Sequence, residues 1–250
     1  MKIVFHEYYN RVYTYDPAAS EGRMEAIVRE LKGFNFVEPA PATDKDILLV
    51  HTDNHLARIK NNELVYSTAL LAAGGAILAS DIGFSGEPAF ALIRPPGHHA
   101  SPDSCWGFCY FNNVAVAIKK LLNDKKIKIA AIYDFDYHFG DGTKNIFSRS
   151  KNVIYHHGEG NTSQEFIEDL TDFLKRLSDI EILGISAGFD RHEEDWGGLL
   201  TTEDYRTIGT IAKEYTEQHC HGRRFAVLEG GYNHDVLGKN VRSFVEGFKE

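Results

Sequence analysis

Short apolar runs recur along the chain, and each one empties into polar residues. The clearest are Lys2–Phe5, Phe90–Ile93, Ile129–Tyr133, Asn152–Tyr155, Ile180–Ser186 and Arg224–Leu228. Runs of this length without polar alternation fit strands buried on both faces, as in a parallel sheet. Between them the apolar spacing changes to a helical period. Met24, Ile27, Val28 and Leu31 mark one amphipathic helix, with Ser20 placed to cap it. His51–Ile59 resumes a helical pattern, and Ser67–Ser80, almost all small and apolar, reads as a helix packed tightly into a core. Further helices follow from Val114, Ala117, Ile118 and Leu121, from Phe166, Leu170, Phe173 and Leu174, and from Tyr205, Ile208 and Ile211 with Thr202 as cap. A last helix closes the chain. Strand, polar loop and helix in steady alternation predict an α/β fold of three layers, α/β/α, with helices on both faces of a mainly parallel sheet.

The polar residues at the strand ends carry the chemistry, because ligands of such sheets bind outside the carboxyl ends of the strands. The run from Ile129 ends in Asp134, Asp136, His138 and Asp141. In an extended chain side chains spaced two apart share a face, so Asp134, Asp136 and His138 are expected to converge. Buried carboxylates with an imidazole call for a compensating cation. The run from Phe90 leads into Arg94-Pro-Pro-Gly-His98-His99, where two prolines and a glycine present the histidines on a rigid loop. Other strand ends supply His156 and His157, Asp190 and His192, and Tyr232 after Gly230-Gly231. One site is expected to collect them all.

Composition narrows the classes. The 250 residues, 43% hydrophobic and 25% charged, fit one domain over 1–250. No uninterrupted apolar run reaches a membrane span, and the start is not a secretory leader, so a cytoplasmic protein with no membrane partner is expected. The net charge of −9 argues against nucleic acid and suits a cationic small molecule or basic peptide. Cys105, Cys109 and Cys220 offer no zinc-knuckle spacing and read as reduced.

Asp136, His138 and Asp190 form an oxygen-and-nitrogen set with room for water and substrate, the pattern of a catalytic Zn2+ site. Fe2+, Co2+ or Mn2+ would suit the same ligands. A metal there with His98 and His99 as base and acid, carboxylates at Asp134 and Asp141 to orient them, and the Tyr232 phenol for an oxyanion describes metal-assisted hydrolysis of an amide or ester. Phe108, just beyond the histidine loop, is a candidate pocket wall. Neither a P-loop nor a GxSxG nucleophile motif competes with this reading.

RPPGHHA, GFCYFNN, DFDYHFGDGT, SAGFDRH and LEGGYN, in that order, resemble the zinc-dependent histone deacetylase superfamily, including acetylpolyamine amidohydrolases and acetoin-utilisation-type proteins. The resemblance spans about residues 3–248 and implies the arginase-deacetylase fold and deacetylation of an acylated lysine, polyamine or other amine. It implies Asp136, His138 and Asp190 as zinc ligands and Tyr232 as oxyanion donor. It pairs Asp134 with His98 and Asp141 with His99, with His99 as the proton shuttle. It places Gly107 and Phe108 at the acyl channel, and the carbonyls of Asp134, Asp136 and His138 at part of a K+ or Na+ site. The chain departs from that pattern at three places. Phe139 replaces a histidine, the segment after His157 is reduced to about six residues, and the region of Trp196 lacks about one residue and puts an indole near the rim. The shortened segment predicts a wide, shallow site unless a second subunit of a homo-oligomer covers it. Two classes stay open: an active amidohydrolase, and a non-catalytic relative that binds acylated ligands or partners. A ureohydrolase-like enzyme would need a two-manganese site.

Overall fold

A computed structural model describes residues 1–249. Among the described residues seven strands, β1 (Lys2–Val4), β2 (Asn35–Val37), β3 (Ala89–Ala91), β4 (Ala130–Asp134), β5 (Val153–His157), β6 (Leu183–Ala187) and β7 (Arg224–Leu228), form one sheet. Its order is β2-β1-β3-β7-β6-β4-β5 and every pairing is parallel. The four strands β3, β4, β6 and β7 are buried along their whole length, which is why they read as continuous apolar runs. They are also neighbours, in the order β3-β7-β6-β4, so their C-terminal loops open onto one place.

The helices are α1 (Arg23–Glu30), α2 (Asp44–Ile47), α3 (Asp53–Lys60), α4 (Glu63–Phe84), α5 (Asn113–Asn123), α6 (Asp141–Phe147), α7 (Ser163–Lys175), α8 (Thr202–His219) and α9 (His234–Lys249). On one face α8 packs on α9 and α1 on α9; on the other α4 packs on α5 and against β3 and β7. This is the three-layer α/β/α arrangement that the alternation of runs predicts. The edge strand β2 has no sequence signal, since its three residues are only half-buried.

Three local expectations change. Ser20 does not cap α1: the helix starts three residues later behind Gly22 at φ 83°, and the Ser20 hydroxyl donates to the Pro17 carbonyl. Thr201 rather than Thr202 caps α8, in a reciprocal pair with Asp204. The small-residue helix is also longer than its apolar stretch. Among the described residues α4 alone is long and apolar enough to cross a membrane, but 61% of its apolar 18-residue stretch is buried inside the fold. Its glycines explain the fit: a Cβ on Gly83 would stand 2.5 Å from the Arg224 carbonyl oxygen of β7.

Candidate active site

The convergence of Asp134, Asp136 and His138 is real, but an extended strand is not its cause, because β4 ends at Asp134. The Asp136 N–H donates to Asp134 Oδ1 at 3.1 Å, and the His138 N–H donates to Asp136 Oδ1 at 2.9 Å. Each carboxylate thus turns the chain back over itself by holding an amide two residues on, and the two-residue period survives beyond the strand. Asp190, three residues beyond β6, accepts from the Tyr137 N–H at 3.0 Å, and Asp136 Oδ2 accepts from the Gly230 N–H at 2.8 Å. Three loops are stitched together by the carboxylates themselves.

Asp136, His138 and Asp190 then present ligand atoms that all lie within 4.8 Å of one another. His138 Nδ1 stands 3.0 Å from Asp190 Oδ2 and 3.4 Å from Asp136 Oδ1. Both aspartates are buried, and burial together with the charge of Asp136 pushes Asp190 above the usual carboxylate range. Hydrogen bonds to Asp136 and Asp190 raise His138 to about 9. Two buried carboxylates thus share one imidazole, with burial keeping water from their charge, the condition a divalent cation relieves. Glycine keeps the cradle open: a Cβ on Gly230 would lie 2.6 Å from Asp136 Oδ2 and 2.7 Å from Asp190 Oδ2. The residues present therefore fit a metal of the expected kind.

The tandem histidines differ in what stands behind them. His98 Nδ1 meets the buried Asp134 carboxylate at 3.1 Å, and its Nε2 is 3.7 Å from Asp136. Burial alone would lower its pKa, but Asp136 and Asp134 outweigh that and raise it well above the ordinary value. His99 Nδ1 meets Asp141 Oδ1 at 2.7 Å. Burial and the neighbouring His98 charge lower its pKa to about 4. Tyr155, on β5, also donates to Asp134 at 3.0 Å.

These groups surround a cavity of about 100 Å3, lined by Pro96, His98, His99, Trp106, Gly107, Phe108, His138, Trp196, Gly230 and Tyr232. Gly107 and Phe108 both take left-handed backbone, φ 57° and 66°, a conformation that strains a residue such as Phe108 and sets its ring edge-on to Tyr232 at 6.0 Å. The expected wide, shallow site is not what the chain builds. α7 does begin at Ser163, so the segment after His157 is as short as the sequence suggests. Two indoles close the space instead. Trp196 stacks on Tyr232 at 4.1 Å between ring centres, and Trp106 lies over His99 at 3.9 Å.

Not every strand-end residue joins the site. His156 points to the opposite face of β5 from His157, pairs with Asp169 at 2.8 Å and stacks on Phe173. His192 accepts from the Glu194 N–H at 3.1 Å, within its own turn. His157 lies behind the site, with Nδ1 3.9 Å from Asp134. Phe139 lies half exposed, edge-on to His157 at 5.3 Å. The cysteines are free.

Several contributors escape sequence reading. Trp106 Nε1 donates to Asp141 Oδ2 at 2.9 Å, so the indole both covers His99 and holds its partner. Asp195 Oδ2 accepts from the Tyr232 and Asn233 N–H groups, each at 2.8 Å. Buried Arg23 donates to the Gly231 and Glu229 carbonyls at 2.8 and 2.7 Å, fixing the same turn from the other side. Glu229, raised to about 7 by burial, accepts from the Gly97 N–H at 2.6 Å and ties the histidine loop to the end of β7. Only Glu229 carried a signal, an acid directly after an apolar strand.

A histone deacetylase domain matches residues 17–163 and 157–248, two segments that meet at the shortened stretch after His157. A probable deacetylase of Archaeoglobus fulgidus is 33% identical over 92% of this chain and 81% of its own length. The acetylpolyamine amidohydrolase of Mycoplana ramosa is also 33% identical, over 73% of this chain and 63% of the relative. The crystal structure of an acetylpolyamine aminohydrolase from Burkholderia pseudomallei superposes with a TM-score of 0.85 at 23% identity, over 99% of this chain and 98% of the other. At that identity the superposition establishes the fold. With the domain pattern matched on both sides of the short segment and a third of the residues shared with relatives, this chain belongs to the histone deacetylase family.

Proposed function

We propose that the chain hydrolyses a short N-acyl amide, foremost an acetyl group on a lysine, polyamine or other amine, with Zn2+ as the metal. The observation that carries this reading is the meeting of Asp136, His138 and Asp190 with two histidines and a tyrosine around one small cavity. Drug-sized ligand pockets usually span about 300 to 1,000 Å3, so this one suits a group of a few heavy atoms. A divalent ion held by the three ligands would polarise the acyl carbonyl and lower the pKa of the attacking water.

The rest is the work of the chain. With its Nδ1–H donated to Asp141, His99 keeps its Nε2 lone pair for the cavity, and its lowered pKa leaves it neutral at physiological pH. It takes the proton from the water and returns it to the leaving amine. His98 has the opposite character: its Nδ1 is backed by the buried Asp134 carboxylate, which favours the protonated ring, so it is the histidine suited to bring positive charge beside the reacting carbonyl. Burial, with Asp136 and Asp190 near, raises the Tyr232 phenol well above its ordinary pKa, so it stays protonated and donates to the developing oxyanion. Asp195 and Arg23 keep that phenol from drifting by fixing its backbone. An acidic chain of net charge −9 favours a cationic amine over an acidic peptide.

The test is hydrolysis of acetyl-lysine peptides, acetylated diamines and polyamines, and longer acyl amides of one amine by zinc-loaded protein. Turnover of acetyl amides, abolished by chelation and restored by Zn2+, is expected. Tight binding of the amides with no product would instead support the non-catalytic class.

A further inference from the structure

Behind the metal-ligand loop lies a cluster of backbone carbonyl oxygens that all face one guanidinium. Arg191 follows Asp190, and its side chain turns away from the cavity under the loop that carries Asp136 and His138. Its Nη2 donates to the Asp136 carbonyl at 2.8 Å, to the Gly158 carbonyl at 3.4 Å and to the Tyr137 carbonyl at 3.5 Å. Its Nε donates to the Phe135 carbonyl at 3.4 Å, and His157 Nε2 stands 3.2 Å from Nη2. The guanidinium lies over the Phe166 ring at 4.6 Å, and the residue is 8% exposed.

Like buried Arg23, Arg191 is not paired with an acid, but its carbonyls come from the metal-ligand loop itself. Its donors go to carbonyl oxygens and a neutral imidazole nitrogen, not to a carboxylate. Convergent carbonyls are what a hard monovalent ion uses to replace its hydration shell. The carbonyl of Asp136, one of the three expected to face K+ or Na+, is already bonded to Arg191. A second, that of Asp134, accepts from the Gly158 N–H at 2.8 Å. A free cation brought to the remaining oxygens would meet the guanidinium charge at close range in a poorly screened interior. The donor set does not fit an exchangeable monovalent ion.

We propose that Arg191 is a built-in replacement for a monovalent cation beneath the metal-ligand loop. It is a positioning residue: it neutralises the convergent carbonyls, fixes the Phe135–Tyr137 backbone, and by touching Gly158 ties that loop to the shortened segment after β5. The consequence is a protein whose stability and site geometry do not respond to K+ or Na+. The inference rests on this carbonyl cluster and not on the amidase reading, so it is tested without substrate.

The experiment compares thermal unfolding of the zinc-loaded protein in KCl, NaCl and tetramethylammonium chloride at equal ionic strength, with Rb+ retained after equilibrium dialysis measured by elemental analysis. Equal midpoints and no stoichiometric Rb+ are expected. A bound ion in large excess over its Kd would raise the midpoint by roughly 5 to 10 °C, and such a rise in KCl, or one Rb+ per chain, overturns the proposal. Arg191→Ala should unfold earlier in tetramethylammonium chloride, regain stability in KCl or with added guanidinium ion, and retain Rb+; Arg191→Lys should need less rescue. An alanine variant as stable as the parent in every salt also overturns it. If Arg191→Ala does not fold, the parent's salt series and Rb+ content decide alone.

Discussion

The floor and the rim of the cavity are built on different principles. At the floor, Asp136, Asp190 and His98 are at most 3% exposed, each held by several hydrogen bonds from adjacent strand ends. At the rim, Trp106 and Trp196 are 56% and 49% exposed and stand on loops. Moving a buried charge strands its partners, which costs far more than reshaping an exposed aromatic surface. A loop can therefore shorten, as the one after His157 has, and two indoles can take over its wall while the floor stays as it is. The floor should accordingly set whether the reaction runs, and the rim which acyl group enters.

The strongest challenge to that division is Asp190→Ala. It should lose stoichiometric Zn2+ and bring turnover to background, both read from one preparation by elemental analysis and by assay. Normal activity with full metal would remove Asp190 from the floor. Next comes the contrast within the histidine pair. His99→Ala should lower kcat/KM by about 10² to 10⁴-fold, the usual worth of a general base, with metal content retained. Because His99 is held neutral down to about pH 4, the acid limb of kcat/KM should fall well below pH 6.5. Asp141 raises the His99 pKa, so Asp141→Asn should move that limb to still lower pH while slowing the reaction. A limb near pH 7 would assign the titration to another group.

Tyr232→Phe removes one hydroxyl and should cost about 10² to 10³ in kcat, as losing an oxyanion donor does, with Zn2+ unchanged. The smallest effect concerns the rim. The parent should prefer acetyl over butyryl amides, and Trp106→Ala should erode that preference by roughly 10 to 200-fold, the worth of about one methylene's fit in an apolar pocket. It should also slow both substrates, because the indole N–H holds Asp141. If the variant keeps the parent's ratio of acetyl to butyryl turnover, the indole is not the wall and the comparison fails at its rim.

What the chain declared by itself is what buried strands force on a sequence. The buried interiors of β3, β4, β6 and β7 are apolar but for Ser186, so the polar residues at and beyond their C-terminal ends stood out: His98 and His99, Asp134 to Asp141, Asp190, and Tyr232. Their common place followed from the parallel alternation alone. Why Asp134, Asp136 and His138 converge was not legible, since the cause is a pair of side-chain to amide hydrogen bonds beyond the strand, and these leave the same two-residue spacing as a strand would. His156 and His192 could not be told from site residues either, because a strand end presents both faces and only the packing of Phe173 and the turn at Glu194 claims them. Trp106, Asp195 and Arg191 were silent in the pattern for a related reason. An exposed indole, a loop acid and an arginine after Asp190 have no periodicity, and what each does is set by which backbone amide, carboxylate or carbonyl the folded chain happens to bring within about 3 Å, the range where a hydrogen bond forms.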